Sequence, residues 1–476
     1  MRKGLIFIGL LLAGSAFAQV ENSDYLVLGD RDLTGTSRYV AMGGAMAALG
    51  GDPSAASDNP AGLGVYRRNE LSLTFDHQIR NYQGLLSQQF SVGQASWNFS
   101  FVNDRMSGVV ANSVMLSYRR LKNYRRQFDV SVRNMSASQT DVMAYNTYGL
   151  PETSLQGDAA WDNTDIGWLS KIGYETYLID PDTTSTENEW LSACKGQVNG
   201  RLNVVESGSA DEFSIGWGMN ISNQWYIGAE MGLRSLIYRK TSIYREVFED
   251  GSNYQSSAYF SASGVGFQGK VGLLYRPTAS LRLAAAFHSP TVMALTIHDS
   301  GTLDAVTASA ATKVSTGDYP QSYNYFSQPL RVAVGVAGQF STKGLVSLQY
   351  DYQHDLRKGV PNTHWLKLGG EIVVNNNWFF NLGYALQMRD LKAGKWADPI
   401  YRINYRSTRL DTDFANLQAA HHLSAGASFR NRFIVVGVAY QCRLMSEYIH
   451  FHELHEQPLS LASTTHRVLL TISWRH

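Results

Sequence analysis

The sequence predicts an all-β protein in which about fourteen antiparallel strands close into a barrel that crosses a membrane. Three observations lead to this prediction. They are a leader at the N-terminus, a strand-like alternation of apolar and polar residues from Leu71 onward, and connections that are short and long in turn. In such a barrel each strand presents one face to lipid and the other to the lumen, so no long apolar helix is needed.

The N-terminus reads as an export signal. Arg2 and Lys3 precede an apolar run at 5–12, and Ala16-Phe17-Ala18 provides a small-x-small cleavage site. Residues 1–18 are therefore predicted to be a signal peptide. The run is too short for a membrane anchor, which needs about 20 apolar residues. No later segment is long and apolar enough for a membrane helix, which argues against a helical membrane protein.

Composition narrows the class further. The 476 residues include 42 glycines, 26 tyrosines, 20 phenylalanines and 10 tryptophans but only 11 prolines, and the mean hydropathy is −0.22. Barrel strands need this mixture, because small and polar residues line the inside and aromatic residues lie at the membrane interfaces. A net charge of +1 argues against a nucleic-acid partner. Cys194 and Cys442 are too few for a disulfide framework, and their spacing leaves open whether they pair.

Strands with a period of two carry the main argument. Phe213, Ile215 and Trp217 alternate with serine and glycine, and successive side chains of a strand point to opposite faces. The same phase recurs at 224–234, 265–276, 330–340, 346–352, 366–372 and 378–386. The last strand ends the chain as an apolar ladder that closes on Trp474. The barrel is expected to occupy residues 69–476, with the even number of strands that bacterial barrels have.

Charged residues lie in the middle of these strands, on the polar face. They are Glu230, Arg234, Lys270, Lys367 and Glu371, with Arg282, Arg331 and Asp351 in similar positions. Aromatic residues end the apolar face, at Trp225, Tyr275, Tyr352, Trp378 and Trp474. A soluble sandwich also alternates, but these two features favour a wet lumen and interfacial aromatic girdles. The lumen charges are interpreted as pairing with one another and with the N-terminal segment rather than binding substrate.

Short and long connections alternate along the later part of the chain. Tight turns are predicted at 222–223, 277–278, 341–343, 375–377 and 431, and long irregular stretches at 134–211, 300–327, 388–418 and 445–465. Outer-membrane barrels have short periplasmic turns and long outside loops. The pattern therefore predicts a bacterial outer-membrane location with both termini in the periplasm.

Residues 19–68 precede the barrel and do not alternate. The stretch Arg38 to Ala45 is small and glycine-rich, and Asn59, Pro60 and Ala61 follow just before the first strand. Small residues let a backbone pack closely against an inner wall, and larger barrels are often plugged. In these two motifs the chain resembles the FadL/TodX-type outer-membrane transporters for hydrophobic compounds, whose N-terminal hatch plugs the barrel. The resemblance covers the whole mature chain.

The resemblance implies uptake of long-chain fatty acids or other apolar molecules, with release sideways through a gap in the wall. A local counterpart is the phase shift at Gly93 in the second strand, which a bulge would produce. Asn112 in the third strand is a second one, because it lies in a row that faces lipid. Gly93 and Asn112 therefore mark a candidate wall gap, with ordinary register irregularity as the alternative.

Other clusters do not support a catalytic or metal site. His450, His452, Glu453, His455 and Glu456 lack the spacing of a zinc-binding helix and are expected in a solvated loop. The remaining partial matches are Asp411 and Asp413 for calcium, Ser192 and Lys195 for a Ser-x-x-Lys nucleophile, and the glycines of 44–51 for a phosphate loop. His422 is expected to face the lumen. We predict no enzyme, no cofactor and no metal.

Three functions stay open on the sequence. The favoured one is passive transport of hydrophobic compounds through a hatch-plugged barrel. A barrel of the same fold could instead act as a partner or shuttle in protein secretion, and an outer-membrane enzyme acting on lipids is the third. The expected partners are an apolar small molecule or lipid ligand, outer-membrane lipids and the machinery that assembles barrels, and the chain is expected to be a monomer.

Overall fold

A computed structural model describes residues 27–103, 108–163, 166–308, 310–341, 343–356, 360–375, 377–390, 410, 414–455 and 457–476, without the side chains of 319–325 and 414–416. The predicted signal peptide, the Asp411–Asp413 pair and Glu456 lie outside this part of the chain. Within it, no helix is long and apolar enough to span a bilayer.

Most of the chain forms strands. They are β1 Glu70–Tyr82, β2 Leu85–Val102, β3 Val109–Asn123, β4 Arg126–Met135, β5 Ile179–Pro181, β6 Trp190–Ser192, β7 Val198–Ile221, β8 Trp225–Phe248, β9 Asn253–Tyr275, β10 Leu281–His288, β11 Thr291–Val306, β12 Ala311–Ser315, β13 Tyr319–Gln328, β14 Leu330–Ser341, β15 Gly344–His354, β16 Thr363–Val373, β17 Trp378–Arg389, β18 Phe414–Arg430, β19 Ile434–His450 and β20 Leu459–Arg475. The helices are α1 Ser37–Ala41, α2 Pro53–Asp58, α3 Gln139–Thr147, α4 Glu152–Leu155 and α5 Trp168–Glu175, with 3₁₀ turns at Pro60–Val65 and Asp158–Ala160.

The main sheet closes on itself. β1 pairs with β2 on one side and with β20 on the other, so the sheet has no free edge between its first and last strands. Its eighteen segments include interrupted strands: β3 continues into β4, β10 into β11, and β12 and β13 into β14. Counted this way the barrel has fourteen antiparallel strands, and the predicted fold class is confirmed.

The outer face is apolar, as the alternation predicts. Phe213, Ile215 and Trp217 of β7 point outward with 55%, 53% and 40% of their surface exposed, while Glu212 and Ser214 between and beside them are buried. Trp225 and Tyr275 stack on the outer face with ring centroids 4.1 Å apart. Exposed apolar side chains on every barrel wall strand are stable only against lipid, so the barrel spans a membrane.

The two ends of the barrel differ. At one, the short-turn end, β7 and β8 are joined through Ser222 and Asn223, both with positive φ, as a tight two-residue turn requires. At the other, the long-loop end, the strands extend further than the sequence predicted: β7 already begins at Val198, β11 to β13 form paired strands within 300–327, and β19 and β20 leave only 451–458 between them. The expected loop boundaries were wrong because the outward-facing residues in these extensions, such as Arg239 and Thr241, are polar. Backbone pairing continues there although the apolar alternation has ended.

The N-terminal segment, residues 27–68, lies inside the barrel. Thr36 caps α1, Asp52 caps α2 and Asn59 caps the following 3₁₀ turn, each by accepting from a backbone N–H. α1 packs on β17–β19, and the 3₁₀ turn packs on β7–β9. Glycines occupy the wall positions where the backbone of the N-terminal segment comes closest. A Cβ on Gly228 would overlap Pro60, and one on Gly383 would overlap Gly43.

A helical connection, residues 136–197, folds against the long-loop end. It contains α3 to α5 and the small β5–β6 hairpin. Met143, Trp168, Ile172 and Trp190 are buried there in one apolar cluster with residues of the barrel's outer extensions. Burial of this many apolar side chains gives the connection its own core.

Candidate functional site

The lumen is packed rather than wet at the level of the charged residues singled out from the sequence. Glu230, Arg234, Lys270, Lys367 and Glu371 are each 5% exposed or less. The expectation of a water-filled lumen at this level was wrong, because the N-terminal segment fills the space and the charged side chains pair with that segment or with one another.

Asp58 of α2 is the centre of an ion network that joins the N-terminal segment to the barrel wall. Its carboxylate lies 3.0 Å from Arg331, 3.7 Å from Lys367 and 3.9 Å from Arg119. Asp351 pairs with the same Arg331 and Lys367, at 2.8 Å each. Burial raises the pKa of Asp58, but the cations outweigh that effect and hold the pKa well below its ordinary value. Asp58 therefore stays ionised and joins α2 to β14 and β16.

A second link joins the segment to the wall at its short-turn end. Arg38 of α1 donates to both oxygens of Glu371, at 2.7 and 3.0 Å. Glu230 and Lys270 are linked to each other and not to the N-terminal segment: the ammonium of Lys270 lies 2.6 Å from Glu230 and from Glu212. Arg234 completes this group by donating to Glu212 at 2.8 Å.

The Asn-Pro-Ala motif lies where the segment meets β9. The Asn59 amide donates to the carbonyls of Ala47 and Leu273, at 3.0 and 3.2 Å, and its oxygen accepts from the N–H of Ala61. Pro60 occupies the first position of the 3₁₀ turn, where its missing N–H costs nothing. In the described contacts the motif shapes the segment and joins it to β9.

One region of the lumen is apolar. The lumen apolar cluster consists of Leu28, Leu121, Tyr124, Ala210, Leu236, Tyr238, Phe260, Ala262, Met293, Leu295, Ile297 and Phe326. Eleven of the twelve belong to the wall or the β3–β4 junction, whereas Leu28 belongs to the N-terminal segment and covers them. The Leu28 carbonyl accepts from Tyr124 at 3.1 Å and from Gln328 at 2.9 Å. The segment thus fills a space lined by apolar side chains.

Arg31 lies three residues after Leu28. Its Nε atom is buried without an acceptor, and its guanidinium forms no ion pair with any described residue. Burial lowers the pKa of Arg31 to about 10, and repulsion from Arg331, Arg234 and Arg119 adds to this, with Asp58 opposing. Arg31 therefore carries an unmatched positive charge, three residues along the chain from the Leu28 that covers the lumen apolar cluster. Neither Arg31 nor Asp58 was predicted as a site residue. The run Asp30-Arg31-Asp32 ahead of the glycine-rich stretch is the signal for them in the sequence.

Asp30 and Asp32 on either side are fully matched. Asp30 pairs with Lys122 and, at 2.8 Å, with Arg389. Asp32 lies 3.3 Å from Lys122 and 3.5 Å from Arg467. These contacts hold the first residues of the segment along β3 and β20.

Backbone pairing between β2 and β3 covers only part of the two strands. β2 pairs with β3 only over Gln94–Val102; nearer the long-loop end its residues pair with β1 alone, and β4 pairs with β7 alone. We call this unpaired stretch the β2–β3 seam. Gly93 is the extra residue of a bulge opposite Thr74 and Phe75, at the point where pairing stops.

Asn112 does not border the seam. It pairs with Phe101 in the joined part of the two strands, near the short-turn end. The bulge in β3 next to it, between Val109 and Ala111, belongs to the pairing with β7. The outward amide of Asn112 is close to the end of β3, where polar groups meet the membrane interface. This position accounts for a polar residue in the apolar row without a gap in the wall.

The N-terminal segment covers the seam from inside. Asp32 donates its N–H to the carbonyl of Leu121 at 3.0 Å, and the hydroxyl of Thr34 donates to the carbonyl of Arg120 at 2.6 Å. Residues 28–34 therefore lie along the β3 side of the seam as well as over the lumen apolar cluster.

An apolar groove of about 530 Å³ indents the membrane face beside the seam. Its lining includes Leu71, Ala95, Trp97, Leu116, Tyr118, Phe213, Ile215, Met231, Leu233 and Phe267. Ala95 and Tyr118 are paired directly next to Gln94, the last joined residue of β2. The groove thus begins where the seam ends.

The histidine cluster is buried, contrary to expectation. His450, His452 and His455 are 2%, 0% and 6% exposed, because the 451–458 connection folds inward and Phe451 joins the core of the helical connection. Among the described residues no group of histidine, cysteine and carboxylate side chains has a geometry that could hold a metal. His422 faces the lumen, with its ring 5.2 Å from that of Trp365. Cys194 and Cys442 are both free.

These features define a membrane-spanning β-barrel whose lumen is filled by its own N-terminal segment. Three solved structures share the architecture: a TodX deltaS2S3 mutant monoaromatic hydrocarbon channel (14% identity, 94% of this chain and 100% of that chain, TM-score 0.54), the CymD monoaromatic hydrocarbon channel (12%, 94% and 99%, 0.51) and a Pseudomonas aeruginosa FadL homologue (12%, 94% and 99%, 0.50). No family model and no curated protein matches the sequence. The chain has the fold of the FadL/TodX-type barrels, and the resemblance stated from the sequence is confirmed for the fold.

Proposed function

We propose that the protein carries apolar molecules with an anionic head group, such as long-chain fatty acids, across the outer membrane. The observation that supports this most is the lumen apolar cluster, covered by Leu28, together with the unmatched guanidinium of Arg31 three residues further along the same stretch. A hydrocarbon tail replaces the Leu28 side chain against the cluster without loss of apolar burial. A carboxylate supplies the anion that Arg31 lacks.

The solved structures with this fold include channels named for monoaromatic hydrocarbons. A neutral hydrocarbon needs only the apolar cluster, and it leaves Arg31 unmatched. An anionic amphiphile uses both features, and for that reason we favour it for this chain. The distinction lies in the head group, not in the apolar part of the ligand.

The N-terminal segment acts as a hatch in this proposal. Its helices α1 and α2 stay anchored through Arg38 and Asp58. Residues 27–34 move off the apolar cluster when ligand enters, which breaks the ion pairs of Asp30 and Asp32 with the wall. The same stretch covers the β2–β3 seam, so its movement opens the inner side of the seam. The ligand then leaves sideways into the apolar groove on the membrane face, and the polar lumen below is never crossed.

The ligand class is tested by binding to the purified barrel in detergent. We expect saturable binding of radiolabelled oleate to the unaltered protein and at least tenfold weaker binding to Arg31→Gln, because one charge-assisted contact is lost. Toluene binding is expected to be equal in both. Arg67→Gln is the matched control, since Arg67 is exposed and its substitution removes the same charge. Equal oleate binding by Arg31→Gln and unaltered protein would exclude the head-group contact, and no binding of either compound would exclude the transport proposal.

A role as a secretion partner is the second candidate, and one observation favours it. The helical connection exposes four large side chains on its surface, each 51–60% exposed: Tyr145, Tyr148, Tyr177 and Leu191. A docking protein could cover these side chains. Transport requires none of these residues. Replacing Tyr145 and Tyr177 together by serine should leave oleate uptake unchanged if the protein is a transporter and abolish secretion of a client if it is a secretion partner.

A further inference from the structure

A polar cleft opens at the short-turn end, between the N-terminal segment and strands β18–β20. We call it the basal cleft; its lining includes Ser37, Arg38, Ser428, Arg430, Thr471 and Arg475. It is remote from the lumen apolar cluster, which lies toward the long-loop end. Its free volume is about 30 Å³, room for about two water-sized groups such as the oxygens of one oxyanion.

Two of the three arginines in the basal cleft are matched by carboxylates. Arg38 is bidentate to Glu371, and Arg475 lies 2.8 Å from Glu70. Of the two carboxylates that line the cleft, Glu70 is the partner of Arg475. The other is Asp52, whose oxygens accept from the Thr36 hydroxyl and from the first amides of α2. Each acid of the cleft is thus already engaged.

Arg430 is the arginine left over. It forms no ion pair with any described residue, and its Nε atom is buried without an acceptor. One face of its guanidinium is covered by the ring of Phe379, 4.2 Å from the ring centroid. Stacking on the ring holds the guanidinium plane in place and leaves its N–H edge for an acceptor.

A second orphan group lies beside it. Ser428 precedes Arg430 by two residues on β18, so both side chains point to the lumen face of the strand. The Ser428 hydroxyl is buried and has no hydrogen-bond partner among the described residues. Nearby hydroxyls are engaged: Thr471 accepts from the Ser37 N–H, and Ser473 donates to Ser72. Two unsatisfied donors therefore share one small cleft.

We propose that the basal cleft binds an oxyanion, a carboxylate or phosphate group, between the guanidinium of Arg430 and the hydroxyl of Ser428. The anion supplies the acceptor that both groups lack, and a planar guanidinium suits the two oxygens of such a group. The site is independent of the proposed transport function, because Arg31 and the lumen apolar cluster take no part in it. Its ligand comes either free from solution or as the head group of a lipid at this end of the barrel.

Titration calorimetry on the full-length barrel in a neutral detergent tests the site. Inorganic phosphate is one titrant and dihexanoyl phosphatidylglycerol is the other. We expect saturable binding of at least one of them to the unaltered protein, and affinity at least tenfold weaker for Arg430→Gln. Arg432→Gln is the matched control, because Arg432 is exposed and lies two residues from Arg430, and its substitution removes the same charge.

Binding of phosphate by itself identifies a free oxyanion as the ligand, and binding of the lipid alone identifies a head group. If Arg430→Gln fails to give a heat-modifiable folded barrel, Ser428→Ala keeps every charge and should weaken binding severalfold. The proposal is overturned if neither titrant binds the unaltered protein, or if Arg430→Gln, or Ser428→Ala in its place, binds as tightly as the control.

Discussion

At the scale of residues, the interior is organised by charges that find partners on another part of the chain. Asp58 contacts cations from three strands, and Arg38 contacts Glu371, so that the segment and the wall each complete the other. Buried ion pairs of this kind add little stability in themselves, but removing one partner leaves a charge in a dry place. Arg31 and Arg430 are different, because neither has a carboxylate among the described residues. For this reason the two proposals rest on these arginines: Arg31 would bind the head group of a transported ligand, and Arg430 would bind an oxyanion.

Asp58→Asn is expected to destabilise the barrel by about 3 kcal/mol, the usual cost of breaking a buried pair. Arg331 and Lys367 would then share the carboxylate of Asp351, and Arg119 would lose its ion pair with Asp58. Urea unfolding in detergent measures the loss. Asp129→Asn is the control, since its pair with Arg201 is solvent-exposed and should matter little. Equal midpoints for the two variants would show that the network is not what holds α2.

The same residue predicts a dependence on pH. Because the pKa of Asp58 is held below its ordinary value, its contribution is complete above the unfolded value near 3.8 and is lost as pH falls further. The urea midpoint of the unaltered protein should drop below about pH 4 more steeply than that of Asp58→Asn. Parallel curves for the two proteins would contradict an ionised Asp58.

At the scale of elements, the helical connection is tied to β8 through a carboxyl group that burial favours in its neutral form. Glu246 lies beyond the apolar outer band and is fully buried; it accepts from Ser138, from the N–H of Gln139 and from Tyr244. Burial raises the pKa of Glu246 to about 7, and these donors only partly oppose it. The contact between connection and strand therefore depends on pH.

A raised carboxyl pKa stabilises the folded contact fully below the unfolded value of 4.5, and this stability is lost as pH rises through 7. Limited proteolysis of the helical connection should become faster between pH 5 and 8 in the unaltered protein. Glu246→Gln, which stays neutral, should be cleaved at a rate that changes only as the protease itself does. Equal pH profiles for the two proteins would contradict this role of Glu246.

Deletion of Gly93 tests the role of the β2–β3 seam. Removing the extra residue lets Val92 and Gln94 follow each other opposite Phe75 and Thr74, so β2 loses the bend at which it parts from β3. Oleate uptake by a bacterial host without its own uptake system should fall, while binding by the purified barrel stays the same. Deletion of Val110, the bulged residue at the short-turn end, is the control. Unchanged uptake after loss of Gly93 would argue against release at the seam.

Much of this architecture could be predicted from the sequence, for a physical reason. A lipid-facing row such as Phe213, Ile215 and Trp217 must be apolar whatever lies elsewhere, so period two reveals the strand. The bulge at Gly93 shifts that phase and was visible too. The row of residues that faces the lumen carries no such signal, because the ion-pair partners of a residue such as Lys367 lie on distant parts of the chain. Its partners Asp58 and Asp351 follow only from the closed barrel.

The errors have physical causes as well. The strands at the long-loop end went unrecognised because both of their faces are partly polar there, so the alternation fades. His450, His452 and His455 looked solvated in a polar stretch, but Phe451 draws that connection into a core supplied by residues far away in the chain. Arg31 has no periodic pattern around it, and its isolation among cations became evident only in three dimensions.

At the scale of the whole molecule, the proposed transport function uses the barrel, the seam and the N-terminal segment together. The segment is anchored at α1 and α2 through Arg38 and Asp58. Residues 27–34 cover the apolar cluster and the seam and are held by the ion pairs of Asp30 and Asp32. A ligand that leaves sideways needs only this first stretch to move. A ligand that passes straight through needs α1 and α2 to leave the lumen. The route therefore determines which part of the segment must be free.

A reversible cross-link separates the two routes most directly. A Cβ at Gly437 would lie 3.6 Å from that of Ser37, within the range of a disulfide, so S37C with G437C ties α1 to β19. Oleate uptake by host cells is then measured with the bridge oxidised and reduced, at equal amounts of barrel in the membrane. Sideways release predicts the same uptake in both states, well above cells without the protein. Uptake that stops when the bridge forms and returns when it is reduced would contradict the account.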